Sequence, residues 1–292
     1  MISSKERNIL VTGSGGFIGS KLATNFKNEV ATLDKYKHSL FKYKSLKPLL
    51  EKCDVIYHLA GVNAGSGYDP SSSELTKNNI HGTYNLIQAI KEFCSQPPLF
   101  VLMSSIHVYD KSSENFSESD SLGPSSIYGM SKLSQEYLVS QAHQLGILDS
   151  VVLRASNIYG GSCRPYYNSA IATFCDQIIK GETIPLFARG DATLDLIYID
   201  DVIRILQNVD ILSRDSKTVY NLASGKTFSV KKIIEILDEV SDLEIKTKLI
   251  DSPVLNFSIN TERLNLALPE FEYTTLEEGL KLTYEEYHGL NK

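Results

Sequence analysis

Short apolar runs alternate with longer segments of helical hydrophobic spacing in the first half of the chain. The runs begin at Ile9, Val30, Val55, Leu99 and Val151, and each suits one buried strand. Strands that alternate with helices predict a parallel sheet with helices on both faces. The sequence therefore predicts an α/β fold, a doubly wound parallel sheet of the Rossmann type.

Two segments depart from this alternation. Only 20 positions separate Asp34 from Asp54, so we expect one usual element of the sheet to be shortened or missing there. The polar stretch from Asp110 to Ser126 is rich in Ser, Glu and Asp and contains Gly123-Pro124. It predicts a surface loop that precedes a helix.

After Gly160 the pattern becomes irregular, with helical spacing near residues 170–180, 230–240 and 276–287 and a strand near Tyr198. We assign most of this part to a smaller, discontinuous C-terminal substrate domain. The predicted division gives residues 1–160 with 193–222 to a dinucleotide-binding Rossmann domain. Residues 161–192 with 223–292 then form the substrate-binding domain.

Composition narrows the classes of partner and location. The 292 residues are 42% hydrophobic and carry a formal net charge of −6. No basic stripe favours nucleic acid or an anionic membrane. No run of about 18 apolar residues and no apolar signal core is present, so we expect a cytoplasmic protein. The scattered cysteines Cys53, Cys94, Cys163 and Cys175 predict reduced thiols and no metal site.

A glycine-rich turn follows the first predicted strand. Gly13, Gly16 and Gly19 form G-x-x-G-x-x-G at the start of the first predicted helix. Such glycines let the backbone approach a pyrophosphate, which the helix N-terminus then binds. We therefore predict that this turn, with Phe17 and Ile18, binds a dinucleotide.

Asp34 ends the second predicted strand and bears on the choice of cofactor. Its carboxylate can accept hydrogen bonds from the adenosine ribose and would repel a 2′-phosphate, which favours NAD over NADP. Lys35, Lys37 and His38 follow it. They leave open the alternative in which these residues bind the 2′-phosphate of NADP.

Tyr128 and Lys132 place a phenol and an ammonium four residues apart, on one face of a predicted helix. A nearby cation stabilises a phenolate, so the pair can transfer a proton at neutral pH. Tyr43 and Lys47 match the same spacing, and so the spacing alone is a weak signal.

The strand that begins at Leu99 favours Tyr128 over Tyr43 as the tyrosine that transfers the proton. Ser105 lies at its carboxyl end, where ligands bind in doubly wound sheets. We expect Ser105 to polarise the same substrate oxygen as Tyr128, with Ser104 as an alternative. His107 is interpreted as a packing or loop residue.

Several stretches together resemble the extended short-chain dehydrogenase/reductase superfamily over nearly the whole length. They are Val11–Gly19, Asp54–Gly61, Asn79–Thr83, Ser105–Tyr109, Tyr128–Lys132, Leu153–Gly160, Tyr198–Val202 and Tyr220–Gly225. The resemblance implies that Ser105, Tyr128 and Lys132 form the catalytic set. It also implies that Leu59, Ala60 and Gly61 lie against the cofactor and that Asn157 contacts the substrate.

The segment Cys163–Cys175 is similar to C4-reductases that act on UDP-linked acetamido-dideoxy-hexuloses in capsule and O-antigen synthesis. Like them, the chain has Leu194 where many relatives have an arginine that binds the substrate diphosphate. Arg164, Arg189 or Arg263 could replace it through bidentate contacts. We take Arg164 and Asn168 as candidate substrate-binding residues.

These features predict hydride transfer between a nicotinamide and the sugar of a nucleotide-diphosphate sugar. Dehydratases of the superfamily carry an Asp-Glu pair where this chain has Ile106 and His107, which disfavours elimination of water. We favour an NAD-dependent nucleotide-sugar epimerase of surface polysaccharide biosynthesis that works through a keto-sugar. The alternatives are an NAD(P)H-dependent 4-keto-sugar reductase and a non-catalytic dinucleotide sensor.

We also expect a homodimer. In many relatives the helices that correspond to residues 79–93 and to the segment from Tyr128 pair across a two-fold axis. Met130, Leu133 and Tyr137 follow apolar helical spacing, although packing on the parent sheet is an alternative explanation.

Overall fold

The computed structural model describes residues 7–26, 30–33, 39–63, 71–110, 114–167, 169–215, 218–254 and 256–290. The strands are β1 (Ile9–Thr12), β2 (Val30–Thr32), β3 (Val55–His58), β4 (Leu99–Ser105), β5 (Asn115–Phe116), β6 (Asp149–Ala155), β7 (Asn157–Tyr159), β8 (Thr183–Phe187), β9 (Thr193–Tyr198), β10 (Val219–Leu222), β11 (Thr227–Ser229), β12 (Lys246–Ile250) and β13 (Ser258–Ile259). The α-helices are α1 (Phe17–Asn25), α2 (Lys47–Leu50), α3 (Ser72–Leu75), α4 (Gly82–Phe93), α5 (Ile127–Gln144), α6 (Ala170–Ile179), α7 (Ile199–Gln207), α8 (Val209–Leu212), α9 (Val230–Val240), α10 (Glu262–Ala267) and α11 (Leu276–Leu290). A π-helical segment, Thr76–His81, joins α3 to α4.

Six of the described strands form one sheet in the order β10-β6-β4-β3-β1-β2. All neighbouring strands in it run parallel. The chain runs from β1 outward to β2 and then returns to β3 on the other side of β1. Such a reversal opens a crevice at the carboxyl ends of the strands. The predicted doubly wound α/β fold is confirmed.

The central sheet is buried on both faces because its apolar side chains alternate between them. In β1, Ile9 and Val11 join the larger core, whereas Leu10 packs on the opposite side. In β4, Phe100 and Leu102 lie on the same side as Leu10, in the core that includes α2, α4 and α5. Strands that are buried on both faces are apolar at every position, and the sequence of these strands shows this pattern.

The short segment between β2 and β3 lacks a strand within residues 39–54. It holds a 3-10 turn, Tyr43–Leu46, followed by α2. Leu46 and Leu50 are fully buried under α4 and the sheet. The short spacing thus leaves β2 as the edge of the described sheet, in agreement with the prediction of a missing element.

Three smaller sheets complete the described fold: β11-β9-β7, β12-β8 and β13-β5. β10 joins the central sheet, whereas β9, which the predicted division assigns to the same domain, lies outside it. One buried cluster extends from Leu22 of α1 to Tyr284 of α11. The division into two domains stays a prediction, and a single continuous core connects its two parts.

The polar stretch after Tyr109 contains more structure than a surface loop. β5 lies within it and pairs with β13, and Tyr109 forms an isolated bridge with Leu122. The ring of Phe116 is buried and stacks on Tyr109 with 5.0 Å between centroids. Burial of this single aromatic side chain fixes a segment whose composition is otherwise that of a loop.

Candidate active site

The carboxyl ends of four central strands meet at one edge of the sheet. Gly13 follows β1, Leu59 follows β3, Ser105 ends β4, and Asn157 lies two residues beyond β6. Because parallel strands end at the same edge, residues distant in sequence are brought to one crevice. The structure therefore brings together the predicted glycine turn, catalytic serine and substrate-contacting asparagine.

The glycine turn packs tightly against the end of β3. Gly13 adopts a left-handed conformation, with φ of 73°, which is accessible mainly to glycine. A Cβ atom on Gly13 would lie 2.7 Å from the backbone of Leu59 and Ala60, and one on Gly19 would overlap the Gly13 carbonyl. Side chains at either position would push α1 away from the strands.

The first turn of α1 is open toward this crevice. Gly16 precedes the helix, and among the described residues no side chain caps it. Phe17 and Ile18 are half-buried and pack against the core. Unpaired N–H groups and the positive end of the helix dipole suit a pyrophosphate, so the cradle fits a dinucleotide. Asp34 lies outside the described residues.

Tyr128 lies in the first turn of α5, next to the end of β4. Ser126 caps this helix by accepting a hydrogen bond from the Gly129 backbone N–H at 3.1 Å. A Cβ on Gly129 would overlap the His107 carbonyl, so the helix packs directly against the segment after β4. The Tyr128 phenol and the Ser105 hydroxyl are consequently in hydrogen-bond contact.

The two neighbouring serines of β4 have different partners because successive strand residues face opposite sides. Ser104 is buried and donates a hydrogen bond to Glu136. Ser105 faces Tyr128 and also accepts a bond from the His107 backbone N–H at 3.3 Å. The structure thus places Ser105 in the site and gives Ser104 a packing role. The His107 ring lies edge-on to Tyr128, with 5.8 Å between centroids.

Lys132 lies one turn beyond Tyr128, and its ammonium is 6.0 Å from the centre of the phenol ring. Its Nζ donates to the Met103 carbonyl at 3.0 Å. Burial lowers the pKa of Lys132 to about 8, against the opposing effect of Glu136. At neutral pH the side chain is therefore still mostly an ammonium.

The pKa of Tyr128 differs from the sequence expectation that Lys132 lowers it. Burial raises this pKa to about 12, while the hydrogen bond with Ser105 lowers it in part. Desolvation of the phenolate is the largest of these effects. In this structure Tyr128 is a protonated donor at neutral pH.

A series of buried hydrogen bonds behind the site connects β1, which precedes the glycine turn, to the π-helical segment. Thr83 donates to the Asn79 carbonyl at 2.6 Å, so its oxygen accepts from His58 Nε2 at 2.8 Å. His58 Nδ1 then accepts from Thr12 at 2.8 Å, and the Thr12 oxygen accepts from the Ala60 N–H at 3.2 Å. Burial lowers the pKa of His58 to about 3, and the neutral ring suits this chain of donors.

Asn79 extends this chain to the predicted cofactor loop and to α5, the helix that carries Tyr128. Its side-chain amide pairs with both backbone groups of Val62, at 2.7 and 3.0 Å, and donates to Ser131 at 2.9 Å. Ser131 in turn donates to the Tyr128 carbonyl at 2.7 Å. Asn79, like His58, therefore supports the site without having been predicted to, although both fall in stretches that carried the family resemblance.

A buried ion pair fixes α5 one turn beyond Lys132. Glu136 accepts from Arg154 Nη2 at 2.8 Å and from Nε at 3.1 Å, and both side chains are buried. Arg154 also donates to the Tyr109 hydroxyl at 3.1 Å, which donates to Asn221 at 2.6 Å. The bidentate pair links β6 to the helix that carries Tyr128. The Tyr109 hydroxyl extends this link to Asn221 on β10.

Asn157 lies on the side of the crevice predicted to hold the substrate. Its side chain is half-buried and donates to the Asp195 carbonyl at 3.0 Å. The buried Asp195 carboxylate accepts from the Ser224 N–H and hydroxyl, the Gly225 N–H and the Ser156 hydroxyl. These bonds hold together the segments that surround Asn157.

Two of the three arginines considered as diphosphate contacts already have partners. Arg263 donates to the Val219 carbonyl at 2.8 Å. Val219 begins β10, so Arg263 lies at the sheet edge opposite the crevice. Arg189 forms an exposed ion pair with Asp251 at 3.3 Å.

Arg164 differs from these two arginines. Its side chain is exposed, and its guanidinium lies 5.9 Å from the ring centre of Tyr167. Asn168, the other candidate of this segment, lies outside the described residues.

Two further surveys concern the described residues only. They contain no group of three or more His, Cys, Asp or Glu side chains arranged to hold a metal ion. No helix among them is long and apolar enough to cross a bilayer.

The sequence model of the NAD dependent epimerase/dehydratase family matches residues 9–223. The chain belongs to this family, which confirms the resemblance to the extended short-chain dehydrogenase/reductase superfamily. The match begins at β1 and ends just after β10, and so it includes the whole central sheet.

Individual relatives share the fold at low identity. A crystal structure of UDP-glucuronic acid 4-epimerase from Bacillus cereus, in complex with UDP-glucuronic acid and NAD, is 25% identical with a TM-score of 0.80 over 97% of this chain and 99% of that one. dTDP-D-glucose 4,6-dehydratase of Dictyostelium discoideum is 27% identical over 84% of this chain and 62% of its own length. A trifunctional UDP-glucose 4,6-dehydratase/3,5-epimerase/reductase of Arabidopsis thaliana is 28% identical over 98% of this chain. The chain matches only 48% of that enzyme.

Proposed function

We propose that the protein is an NAD-dependent nucleotide-sugar epimerase that works through a keto-sugar intermediate. The observation that carries the proposal is the contact of Ser105 with Tyr128, one turn from Lys132 and at the same sheet edge as the glycine cradle. Bound NAD would supply the hydride acceptor and donor. Surface polysaccharide biosynthesis and a cytoplasmic location belong to the same proposal.

Each member of the triad has a distinct proposed role. Tyr128, in the phenolate form that Lys132 and the positive charge of bound NAD would stabilise, takes the proton of a sugar hydroxyl as its carbon loses a hydride, and it returns the proton after the hydride reaches the other face. Ser105 holds the reacting oxygen by a hydrogen bond. Lys132, whose ammonium lies 6.0 Å from the Tyr128 ring, stabilises the phenolate and binds the cofactor ribose.

The glycine turn, Phe17, Ile18 and the Leu59–Gly61 segment are the proposed cofactor-binding residues. Gly61 is exposed at the crevice, and a Cβ there would lie 2.9 Å from Asn79 Oδ1. On the substrate side we propose Asn157, Arg164 and Asn168. Arg164 is the favoured diphosphate contact because Arg189 and Arg263 have other partners.

Discrimination between cofactors is expected to depend on Asp34. The protein should bind NAD(H) more tightly than NADP(H), and Asp34→Ala should reduce that preference, because the carboxylate repels a 2′-phosphate and accepts the ribose hydroxyls. Titration of the wild type and the variant with both cofactors checks this. Equal or tighter binding of NADP(H) by the wild type would contradict the prediction.

Dehydration is disfavoured despite the similarity to dehydratases. Ile106 and His107 occupy the positions at which dehydratases carry two carboxylates. Ile106 is buried, whereas the His107 ring packs on Tyr128. Elimination of water needs an acid and a base near the sugar, and these two side chains supply no carboxylate.

Reduction of a 4-keto sugar is the second candidate. It is favoured by the segment Cys163–Cys175, which is similar to C4-reductases, and by Leu194. In the structure Leu194 is half-buried and pairs with Phe228 between β9 and β11. A reductase would consume one NAD(P)H per turnover, whereas an epimerase regenerates its cofactor within each cycle.

A panel of UDP-, GDP-, dTDP- and CDP-sugars tests the proposal. Products are separated while the absorbance of reduced nicotinamide is followed. An epimer formed without net absorbance change supports epimerisation, whereas stoichiometric loss of NAD(P)H identifies a reductase. Neither turnover nor hydride exchange with any sugar would reject both and favour a dinucleotide sensor.

We propose that α4 and α5 form a homodimer interface. Met130 and Tyr137 on α5 are 57% and 65% exposed, and Tyr84 on α4 is 45% exposed, so both helices present large apolar side chains to a partner. The native mass in solution should equal two chains at micromolar concentration. The double substitution Met130→Glu/Tyr137→Glu should reduce it to one chain. A wild type that is monomeric at that concentration would reject the dimer.

A further inference from the structure

Four buried polar side chains form one hydrogen-bonded series across four elements of the fold. Thr12 ends β1, His58 ends β3, Thr83 lies on α4 and Gln135 lies on α5. Each of them is at most 1% exposed. His58 bonds to Thr12 through Nδ1 and to Thr83 through Nε2, both at 2.8 Å. Gln135 Nε2 donates to Thr83 at 2.7 Å. Buried polar groups are costly unless they are paired, so this series constrains the relative positions of all four elements.

The bonds of Thr83 determine which nitrogen of His58 carries the proton. The single hydroxyl hydrogen of Thr83 is donated to the Asn79 carbonyl at 2.6 Å, so its oxygen can only accept from His58 and Gln135. His58 Nε2 is therefore a donor, and Nδ1 of the neutral ring accepts from the Thr12 hydroxyl. Burial lowers the pKa of His58 to about 3, which agrees with a neutral ring. The imidazole is thus held in one tautomer and one orientation.

Thr12 connects this series to the loop Leu59–Gly61, the proposed cofactor-binding loop. The Thr12 hydroxyl oxygen accepts from the Ala60 N–H at 3.2 Å, and its carbonyl accepts from the Leu59 N–H at 3.3 Å. Because the hydroxyl hydrogen is donated to His58, the lone pairs of the oxygen are left for Ala60. The bond to His58 therefore fixes the direction in which Thr12 holds the loop.

The other end of the series reaches the face of α5 that carries the catalytic pair. Gln135 lies three residues after Lys132 and seven after Tyr128, so the three side chains share one face of the helix. The loop is adjacent to this face, since a Cβ on Gly61 would lie 3.8 Å from Lys132 Nζ. His58 is thus the central link between the cofactor-binding loop and the helix of Tyr128.

We propose that His58 is a positioning residue for cofactor binding. It holds Thr12, and through Thr12 the loop Leu59–Gly61, in the arrangement that binds NAD, so the loop is in place before the cofactor arrives. His58 acts through Thr12 and not by contact with the cofactor. The inference rests on the proposed function and adds a residue that preorganises its cofactor site.

The experiment compares His58→Leu with His58→Asn by calorimetric titration of NAD into protein stripped of nicotinamide. Leucine removes both hydrogen bonds but fills most of the volume of the ring. Asparagine leaves a larger cavity but keeps an acceptor close to the position of Nδ1. His58→Leu should weaken NAD binding by about 5- to 30-fold, because a buried hydroxyl loses its acceptor. His58→Asn should bind NAD more tightly than His58→Leu, whereas an effect of packing alone would give the opposite order.

Phe100 provides the matched control for packing. Its ring is fully buried on β4 and lies 5.4 Å from the His58 ring, centre to centre. Phe100→Leu loses contacts beside His58 but leaves the hydrogen bonds of the series intact. It should lower the melting temperature and leave NAD binding unchanged.

Substitutions of Thr12 test the same bond from its other end. Thr12→Val removes the hydroxyl at nearly constant volume and should reproduce the loss of NAD binding seen in His58→Leu. Thr12→Ser keeps the hydroxyl and should bind NAD more tightly than Thr12→Val. This pair of variants gives the same comparison if His58→Leu does not fold.

Kinetics separate the cofactor site from the sugar site. At saturating NAD, the KM of His58→Leu for the selected nucleotide sugar should equal that of the wild type, because the series ends at the cofactor-binding loop. The inference is overturned if His58→Leu binds NAD as tightly as the wild type does, if His58→Asn binds it more weakly than His58→Leu, or if Phe100→Leu loses as much affinity. Equal binding by Thr12→Val and Thr12→Ser would overturn it as well. Wild-type protein that does not bind NAD would instead reject the proposed function.

Discussion

Tyr128→Phe is expected to lower turnover by about 10²- to 10⁴-fold, the usual contribution of a positioned acid or base. The substitution removes only the phenolic hydroxyl and keeps the ring, which packs edge-on against His107. Fold and cofactor binding should therefore be retained. Initial rates with the selected nucleotide sugar, together with an NAD titration of the variant, check both parts.

The chance match at Tyr43 provides the control for this prediction. Its hydroxyl interacts with Glu92, and its ring stacks on Phe93 at 6.2 Å, both on α4. Tyr43→Phe should leave the rate nearly unchanged. A Tyr128→Phe enzyme that kept more than about a tenth of the wild-type rate, a smaller loss than a general acid produces, would show that the catalytic centre is assigned wrongly.

The central sheet could be predicted from sequence because its strands are buried on both faces. Runs such as Ile9–Val11 and Leu99–Met103 stay apolar at every position and cannot be mistaken for half-exposed strands. The glycine turn could also be predicted from the sequence. Only residues without a side chain fit at Gly13 and Gly19, because a Cβ at either position would overlap nearby backbone atoms. A steric requirement of this kind restricts the residue type at one position, so it can be recognised in the sequence.

Other features depend on contacts between distant segments and left no local signal. The choice between Ser104 and Ser105 is decided by Glu136, 32 positions after Ser104. The pKa of Tyr128 depends on burial, which the helical spacing of Tyr128 and Lys132 does not reveal.

The buried pair of Arg154 and Glu136 should dominate the stability of the catalytic helix. Arg154→Met leaves the Glu136 carboxylate buried with only the Ser104 hydroxyl as a partner among the bonds described. Breaking a buried pair on one side costs about 3–5 kcal/mol. We therefore expect the free energy of unfolding, measured in urea, to fall by about that amount.

The double substitution Arg154→Met/Glu136→Gln distinguishes the ion pair from simple packing. It removes both charges, so it should be less destabilising than the sum of Arg154→Met and Glu136→Gln, because each single change leaves an unpaired buried charge. Glu51→Gln, at the exposed pair with Lys47, should change stability little. Additive effects at positions 154 and 136 would mean that the two side chains act separately, as packing groups. Strong coupling would instead show that α5 is fixed by one buried electrostatic contact, whose carboxylate lies a single turn from Lys132.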